Sequence, residues 1–343
     1  MAKTKILVTG GTGYIGSHTT VELQQAGYEV VIIDNLSNSN IEVLDGIERI
    51  TGIRPEFVKG DVTDIEALRK LFVKYPGIKG IINFAASKAV GESVQKPLLY
   101  YRNNLVSLLN LLTLMPEYGV EGIVFSSSCT VYGEPDMNPI DETAPIKPAT
   151  SPYGNTKQIS EEIISDTIKA GAPIKSILLR YFNPVGAHPS AEIGELPIGV
   201  PQNLIPYLTQ TAAGIRPQLT VFGNDYNTPD GTCIRDFIDV VDLAKAHVIA
   251  MKRMLDRPDG EKLEIFNLGT GNGLSVLQLI SSFERATGVK VPYVIGERRE
   301  GDIEKIWADP KKANEVLGWK AEIDIDETMR NAWKWQQKVS PKE

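Results

Sequence analysis

"VTGGTGYIGSH", residues 8–18, decides the fold. An aliphatic run, "KILV", leads into it and a helix-length segment, 14–26, follows, so its glycines stand where a strand turns into a helix. Gly10, Gly11, Gly13 and Gly16 satisfy both G-x-x-G-x-x-G and G-x-G-x-x-G. Glycine turns are common, but in this context the pattern has a mechanism. Backbone amides without Cβ atoms in the way approach a pyrophosphate closely, and a helix N-terminus favours its negative charge. Asp34 ends the next aliphatic run, "VVIIDN", 18 positions beyond Gly16. A carboxylate there accepts hydrogen bonds from both hydroxyls of an adenine ribose. A strand-ending Asp also serves as a turn residue. No arginine follows in "DNLSNSN" to meet a 2′-phosphate, so the expected cofactor is NAD rather than NADP.

Working outward, "KILVTG", "YEVVIID", "EFVKGD", "KGIINFAA", "GIVFSSS" and "KSILLRY" read as strands. The helix-length segments 14–26, 64–74, 97–117 and 152–170 lie between them. That alternation implies an α/β fold: a Rossmann-type doubly wound parallel sheet with helices on both faces. Asp61, in "KGDVTD" after the third strand, falls near an adenine or caps the following helix. Beyond Arg180 the chain is rich in Gly, Pro and Asn, with a helix near 201–213 and a strand near 219–222. A helix at 240–255 and a strand at 263–268 return to the first sheet, and a last helix covers 324–337. The expected division is residues 1–182 and 237–270 for an NAD-binding domain. Residues 183–236 and 271–343 then build a smaller mixed α/β substrate-binding domain.

Composition narrows the class. Of 343 residues, 42% are hydrophobic and 23% charged, as in an ordinary globular enzyme, and a net charge of −7 offers no basic footprint for nucleic acid. No apolar stretch approaches the ~18 residues of a membrane span, and the aliphatic run near the start is too short for a signal-peptide core. A cytoplasmic protein with neither membrane nor nucleic-acid partner is expected. Cys129 and Cys233 are too few for a disulfide framework, and His18, His188 and His247 are too dispersed for a metal site.

The fifth strand ends in "FSSSCTVYG", which places Ser126, Ser127 and Ser128 at a carboxyl end, where open α/β sheets bind ligands. The helix that follows begins in "SPYGNTK", with Ser151 as its cap, Pro152 at its first position, Tyr153 in its first turn and Lys157 one turn on. Tyr-x-x-x-Lys alone only places two residues on one helix face. Beside a hydride acceptor it becomes a proton-handling pair. A free phenol, with a pKa near ~10, is a poor base at neutral pH. The lysine ammonium and a positive nicotinamide are expected to lower that value.

At this point the chain resembles the extended short-chain dehydrogenase/reductase superfamily and, within it, the UDP-glucose 4-epimerase family, over nearly its full length. The resemblance rests on "VTGGTGYIGSH", "DNLSNS", "FAASKAVGESVQKPLLYYRNN", "FSSSCTVYG", "SPYGNTK", "LRYFNPVGAHPS", "NLIPY", "VFGNDYNTPDGTCIRDFIDVVDLAKAH" and "RREGDIEKIWAD". It implies interconversion of UDP-galactose and UDP-glucose in galactose metabolism, through transient oxidation at sugar C4 by tightly held NAD and re-reduction of the 4-keto sugar from its opposite face. It makes Tyr153 the base, Ser128 the partner of the reacting oxygen, and Lys157 the holder of the nicotinamide ribose. As further cofactor contacts it implies Tyr14, Ile15, Asn35, Val62, Phe84, Ala85, Lys88, Asn103, Ser126 and Tyr181, beside Gly10, Gly13, Gly16, Asp34 and Asp61. On the substrate side it implies Asn183, Asn203, Leu204, Phe222, Arg235, Arg299, Asp302 and Ile306, the two arginines suiting a diphosphate through their forked donors. It implies a homodimer built from the helices near 97–117 and 152–170.

The sequence departs from the family pattern at Ala86 and Ser87, where relatives have glycine and a larger apolar residue, and at Cys129, where alanine is common. Ile306, seven positions after Arg299, stands where members carry tyrosine or a small residue such as cysteine. That position is held to decide whether N-acetylated sugars fit, and isoleucine is intermediate. Two rivals are weighed. A dehydratase would carry an acidic pair directly after the strand-end Ser or Thr, whereas Cys129 and Thr130 follow Ser128. A silent NAD-bound scaffold would not need Ser128, Tyr153 and Lys157 together with two arginines.

Overall fold

The computed structural model describes residues 3–299 and 302–340. Its strands, numbered along the chain, are β1 (Lys5–Thr9), β2 (Glu29–Asp34), β3 (Glu56–Lys59), β4 (Ile78–Asn83), β5 (Gly122–Ser128), β6 (Lys175–Tyr181), β7 (Asn183–Val185), β8 (Leu219–Phe222), β9 (Ile234–Asp239), β10 (Leu263–Leu268), β11 (Gly273–Ser275), β12 (Tyr293–Gly296) and β13 (Lys305–Ile306). The α-helices are α1 (Tyr14–Gln25), α2 (Val43–Thr51), α3 (Ile65–Lys74), α4 (Val90–Gln95), α5 (Pro97–Glu117), α6 (Pro152–Lys169), α7 (Leu204–Ala212), α8 (Val240–Asp256), α9 (Val276–Thr287) and α10 (Ile325–Val339).

Seven strands form one parallel sheet in the order β3-β2-β1-β4-β5-β6-β10. The order reverses between β1 and β4, which opens a ligand crevice at their carboxyl ends. Both faces are buried, and the strand period of two sorts the side chains. Ile6, Val8 and Ile32 pack with Val21 and Leu23 of α1 and Leu243 and Met251 of α8. Leu7, Val31 and Ile33 pack with Leu68 of α3, Leu108 and Leu111 of α5 and Ile164 of α6. Gly80 on β4 and Gly122 on β5 lie under Met251 and Met254, where a Cβ would overlap the thioethers, so α8 rides close to the sheet.

The second lobe is centred on β9, which pairs with β7 and β13 in parallel and with β11 antiparallel; β8 and β12 form a separate parallel ribbon. Its own core, including Leu208, Val221, Phe237, Phe283 and Met329, is closed by α7, α9 and α10. Because β9 runs through residue 237 in the small sheet, the chain rejoins the large sheet's layer at α8 and β10. A third cluster of Cys129, Val131, Tyr132, Ile140, Phe182, Ile306 and Ala308 fills the seam between the turn after β5 and β13.

Candidate active site

The glycine turn is shaped by close approach. Gly10 has φ of 68°, and a Cβ on it would lie 2.9 Å from the Ala85 amide nitrogen, while one on Gly16 would overlap the Gly10 carbonyl. Gly13 is the N-cap of α1, and no side chain covers the first amides of that helix. A concave run of free amides at a helix start, too tight for any side chain, fits a pyrophosphate. Tyr14 and Ile15 open α1; the Tyr14 hydroxyl donates to the Gly186 carbonyl at 2.7 Å, tying the cradle to the chain after β7, and Ile15 packs on the core. Burial pushes the Tyr14 phenol well above its usual range, with Glu195 and Asp239 reinforcing.

Asp34 stands at the end of β2 beside this turn. Its carboxylate accepts from the amides of Thr12 at 3.2 Å and Leu36 at 2.9 Å and from the Ser39 hydroxyl at 3.0 Å. It therefore orders the turn. Asn35 donates to Asp61 at 3.1 Å. Asp61 caps no helix: it binds the amide and hydroxyl of Thr63 at 2.8 and 2.7 Å, and Asp64 caps α3 instead. Val62 is buried, its carbonyl held by Asn110 at 3.0 Å. Phe84 and Ala85 close β4 against the same turn; the Ala85 amide donates to Thr9 Oγ1 at 3.2 Å, and Phe84 lies 4.7 Å from the His247 ring.

The chemical centre forms where β5, β6 and α6 meet. Ser151 Oγ accepts from the Gly154 amide at 3.1 Å and caps α6, which fixes Tyr153 in its first turn. Lys157 is buried; its Nζ donates to the Ser126 carbonyl at 2.6 Å and lies 5.8 Å from the Tyr153 ring centroid. Ser126 and Tyr181 share a hydrogen bond between their hydroxyls, and Ser128 Oγ accepts from the Thr130 amide at 3.2 Å. The protein's own groups act on Tyr153 in the upward direction. Burial pushes the Tyr153 phenol well above its usual range, Tyr181 and Cys129 reinforce it, and only a hydrogen bond with Ser128 opposes. Burial also pushes Lys157 down to about 8, with Glu161 opposing. Lys157, already bonded to the Ser126 carbonyl, is not among the groups that lower the phenol, so within the protein's own groups burial decides the direction.

Two residues at this centre escaped the sequence reading. Asn104 accepts from the Ser87 amide at 2.8 Å and donates to the Ser87 carbonyl and to Thr156 Oγ1, each at 3.0 Å, clamping the loop after β4 onto α6. Asn103, which was expected here, donates to Ser87 Oγ at 3.1 Å. The doubled asparagine of "YYRNN" was the only signal. Glu195 is the second: its carboxylate accepts from Asn203 at 2.6 Å and lies 3.6 Å from Lys88 Nζ, joining an expected cofactor contact to an expected substrate contact.

On the facing lobe, Asp302 gathers the two arginines. It accepts from Arg299 Nη2 at 2.7 Å and lies 3.7 Å from Arg235 Nη2. Phe222 is 43% exposed with the Arg299 guanidinium 5.7 Å from its ring, so it is a surface platform and not a core residue. Asn183 begins β7 two residues after Tyr181, and Leu204 begins α7 on the second core. Ile306 is buried in the seam cluster and registers with Arg235 across β13 and β9. Cys129 and Cys233 are buried and free. Among the described residues no group of three or more His, Cys, Asp or Glu is placed to hold a metal ion, and no helix is long and apolar enough to cross a membrane.

The chain as a whole resembles known proteins. Residues 7–332 match the family described as GDP-mannose 4,6 dehydratase. A UDP-glucose 4-epimerase of Dictyostelium discoideum is 51% identical over 332 residues, 97% of this chain and 95% of the relative. The fold superposes on UDP-glucose 4-epimerase from Stenotrophomonas maltophila, solved with NAD and formylated UDP-arabinopyranose, with a TM-score of 0.94, 48% identity and 98% of each chain covered. It superposes equally well on the Bifidobacterium longum enzyme in complex with NAD+ and UDP, with a TM-score of 0.93, 47% identity and coverage of 98% and 99%. A glycine cradle with Asp34, a Ser-Tyr-Lys centre at the same sheet edge and near-complete matches to these proteins lead to one conclusion: the chain belongs to the UDP-glucose 4-epimerase family.

Proposed function

We propose that this chain is an NAD-dependent enzyme that interconverts UDP-galactose and UDP-glucose in galactose metabolism, by transient oxidation at sugar C4 and non-stereospecific re-reduction. The observation that carries the reading is the placement of Ser128, Tyr153 and Lys157 at the end of β5 and start of α6, on the same sheet edge as the glycine cradle. NAD, when bound, supplies the hydride acceptor and a positive ring beside Tyr153. Tyr153 takes the proton of the sugar 4-hydroxyl as that carbon is oxidised and gives it back as the 4-keto sugar is reduced on its other face. Ser128 holds the reacting oxygen. Lys157, fixed by the Ser126 carbonyl, would hold the nicotinamide ribose. Gly10, Gly13, Gly16, Asp34, Asn35, Asp61, Val62, Phe84, Ala85, Lys88, Asn103 and Tyr181 hold the cofactor.

Arg235 and Arg299 bind the diphosphate, which lets the keto sugar turn over about its linkage while the nucleotide stays anchored. Asp302 aligns them, Phe222 offers a flat face to the uracil, and Asn183, Asn203 and Leu204 complete the site. The first lobe, 1–182 and 237–270, serves NAD, and the second, 183–236 and 271–343, serves the UDP-sugar. A cytoplasmic homodimer belongs to the same proposal: Leu98, Leu99 and Leu109 of α5 are 81%, 48% and 45% exposed on one helix. The test is incubation of the purified protein with UDP-galactose and an assay for UDP-glucose. Product is expected; none, with NAD bound, would support a silent scaffold. Running UDP-N-acetylgalactosamine alongside measures what Ile306 allows.

A further inference from the structure

Glu161 stands on α6 one turn beyond Lys157 and two beyond Tyr153, so the three side chains leave one helix face. Its side chain is 11% exposed and that of Arg180, from β6, is 5% exposed. Arg180 holds the carboxylate with both prongs of its fork, Nε to one oxygen at 2.9 Å and Nη2 to the other at 2.6 Å, and the Ser127 hydroxyl donates to it as well. Arg180 also gives Nη1 to the Tyr132 hydroxyl at 3.0 Å, and Tyr132 donates to Asn267 on β10 at 2.6 Å. Successive residues of β5 thus serve successive residues of one helix stripe: the Ser126 carbonyl binds Lys157 and the Ser127 hydroxyl binds Glu161.

A buried ion pair is costly to desolvate, and an apolar pair of the same volume would pin α6 to the sheet as well. What an apolar pair would not provide is a fixed anion one helical turn from a buried ammonium. Lys157 has one hydrogen-bond acceptor for three donors, and Glu161 is the group that opposes the loss of its proton on burial.

We propose that Glu161 is a positioning residue of the reaction: its carboxylate, locked by Arg180 and Ser127, is the buried anion one turn from Lys157 that stabilises the Lys157 ammonium. Arg180 sets the strength of that field by partly neutralising it. Of the other titratable groups, Tyr181, Cys129 and Tyr100 face Tyr153, Glu142 lies behind Tyr132, and Glu162, Asp166 and Lys169 line the hollow on the outer side of Glu161. Burial keeps Tyr181, Cys129, Tyr132 and Tyr153 neutral, and Glu142, Glu162, Asp166 and Lys169 are unchanged in both variants. The inference rests on the reading of Tyr153 and Lys157 as the reaction centre.

Two variants test it with opposite signs. Glu161→Gln combined with Arg180→Met removes the anion without stranding its partner; Arg180→Met alone leaves the anion with less to neutralise it. The readouts are the basic limb of the pH profile of turnover and the pH titration of the Lys157 Nζ resonance in 15N-lysine-labelled protein, assigned by its loss in Lys157→Met. In the double variant both midpoints are expected to fall by about one pH unit, and in Arg180→Met both are expected to rise. A folded variant of either kind that turns over more slowly at every pH, with both midpoints unmoved, would show a purely structural pair and overturn the proposal. Because the signs differ, either variant decides alone if the other does not fold. A wild type without turnover would defeat the functional reading, whereas unmoved midpoints in an active enzyme defeat only this inference.

Discussion

Tyr153 carries the heaviest demand at the residue scale. Burial raises its phenol, so the proposed role as a base asks for a compensating positive charge, which the proposal assigns to NAD. Tyr153→Phe is expected to fold and bind NAD as before and to lose about 10²- to 10⁴-fold in turnover, the usual worth of a positioned acid-base group. Steady-state rates with a cofactor-binding isotherm check this; full turnover would remove Tyr153 from the mechanism. The Tyr-Lys spacing was legible because it is local: one cap, one proline and four positions along one helix. Its electrostatics were not, because burial is a property of the folded centre. Asn104 was hidden for the same reason, since its partner Thr156 is 52 positions away. Trp335, which holds the Glu195 carbonyl, is 140 positions away.

At the scale of elements, α1 and α6 each present an N-terminus to the crevice, and each start is built differently. The α1 start is bare, so an added methyl is damaging: Gly16→Ala would press on the Gly10 carbonyl and is expected to weaken NAD binding at least about tenfold, a loss of about 1.4 kcal/mol, measured by titration calorimetry. The α6 start is side-chain capped, so Ser151→Ala is expected to cost about 1 kcal/mol of stability in urea unfolding and to lower turnover by loosening Tyr153. Unchanged stability would show that the cap is idle. The strands and long helices were readable from periodicity, because both sheet faces are buried and the aliphatic runs are unbroken. The handover at β9 was less so. An alternating strand next to a buried helix gives no local sign of which of two sheets it joins, and its partners β7, β11 and β13 are all short.

Across the whole molecule, buried histidines add a defined part to the response to acid. Burial lowers His18 to about 3 and His247 to about 4, while in the unfolded chain both titrate near ~6.5. Within that window the unfolded state binds protons that the native state refuses, so stability rises with pH and is lost as pH falls below about 6.5. Asp239, pushed up to about 7 by burial, and Asp236, Glu22 and Glu142, also raised by burial, act with the opposite sign, so the histidine contribution is read by substitution. His247→Asn is expected to flatten the acid-side slope of stability by about 1.4 kcal/mol per pH unit, read from urea unfolding at several pH values. An unchanged slope would mean that His247 is protonated in the folded protein. The proposed dimer is tested at the same scale: Leu98→Asp with Leu109→Asp should convert a dimeric mass to a monomeric one without unfolding the chain.

The central claim is that hydrogen leaves C4 of the sugar and returns to that carbon within one binding event. UDP-galactose deuterated at C4 tests this directly when it is incubated in ordinary water with the NAD-loaded protein. The account predicts UDP-glucose that keeps its deuterium at C4, formed without consumption of added NAD. Product carrying solvent hydrogen at C4, or no UDP-glucose at all, would contradict it.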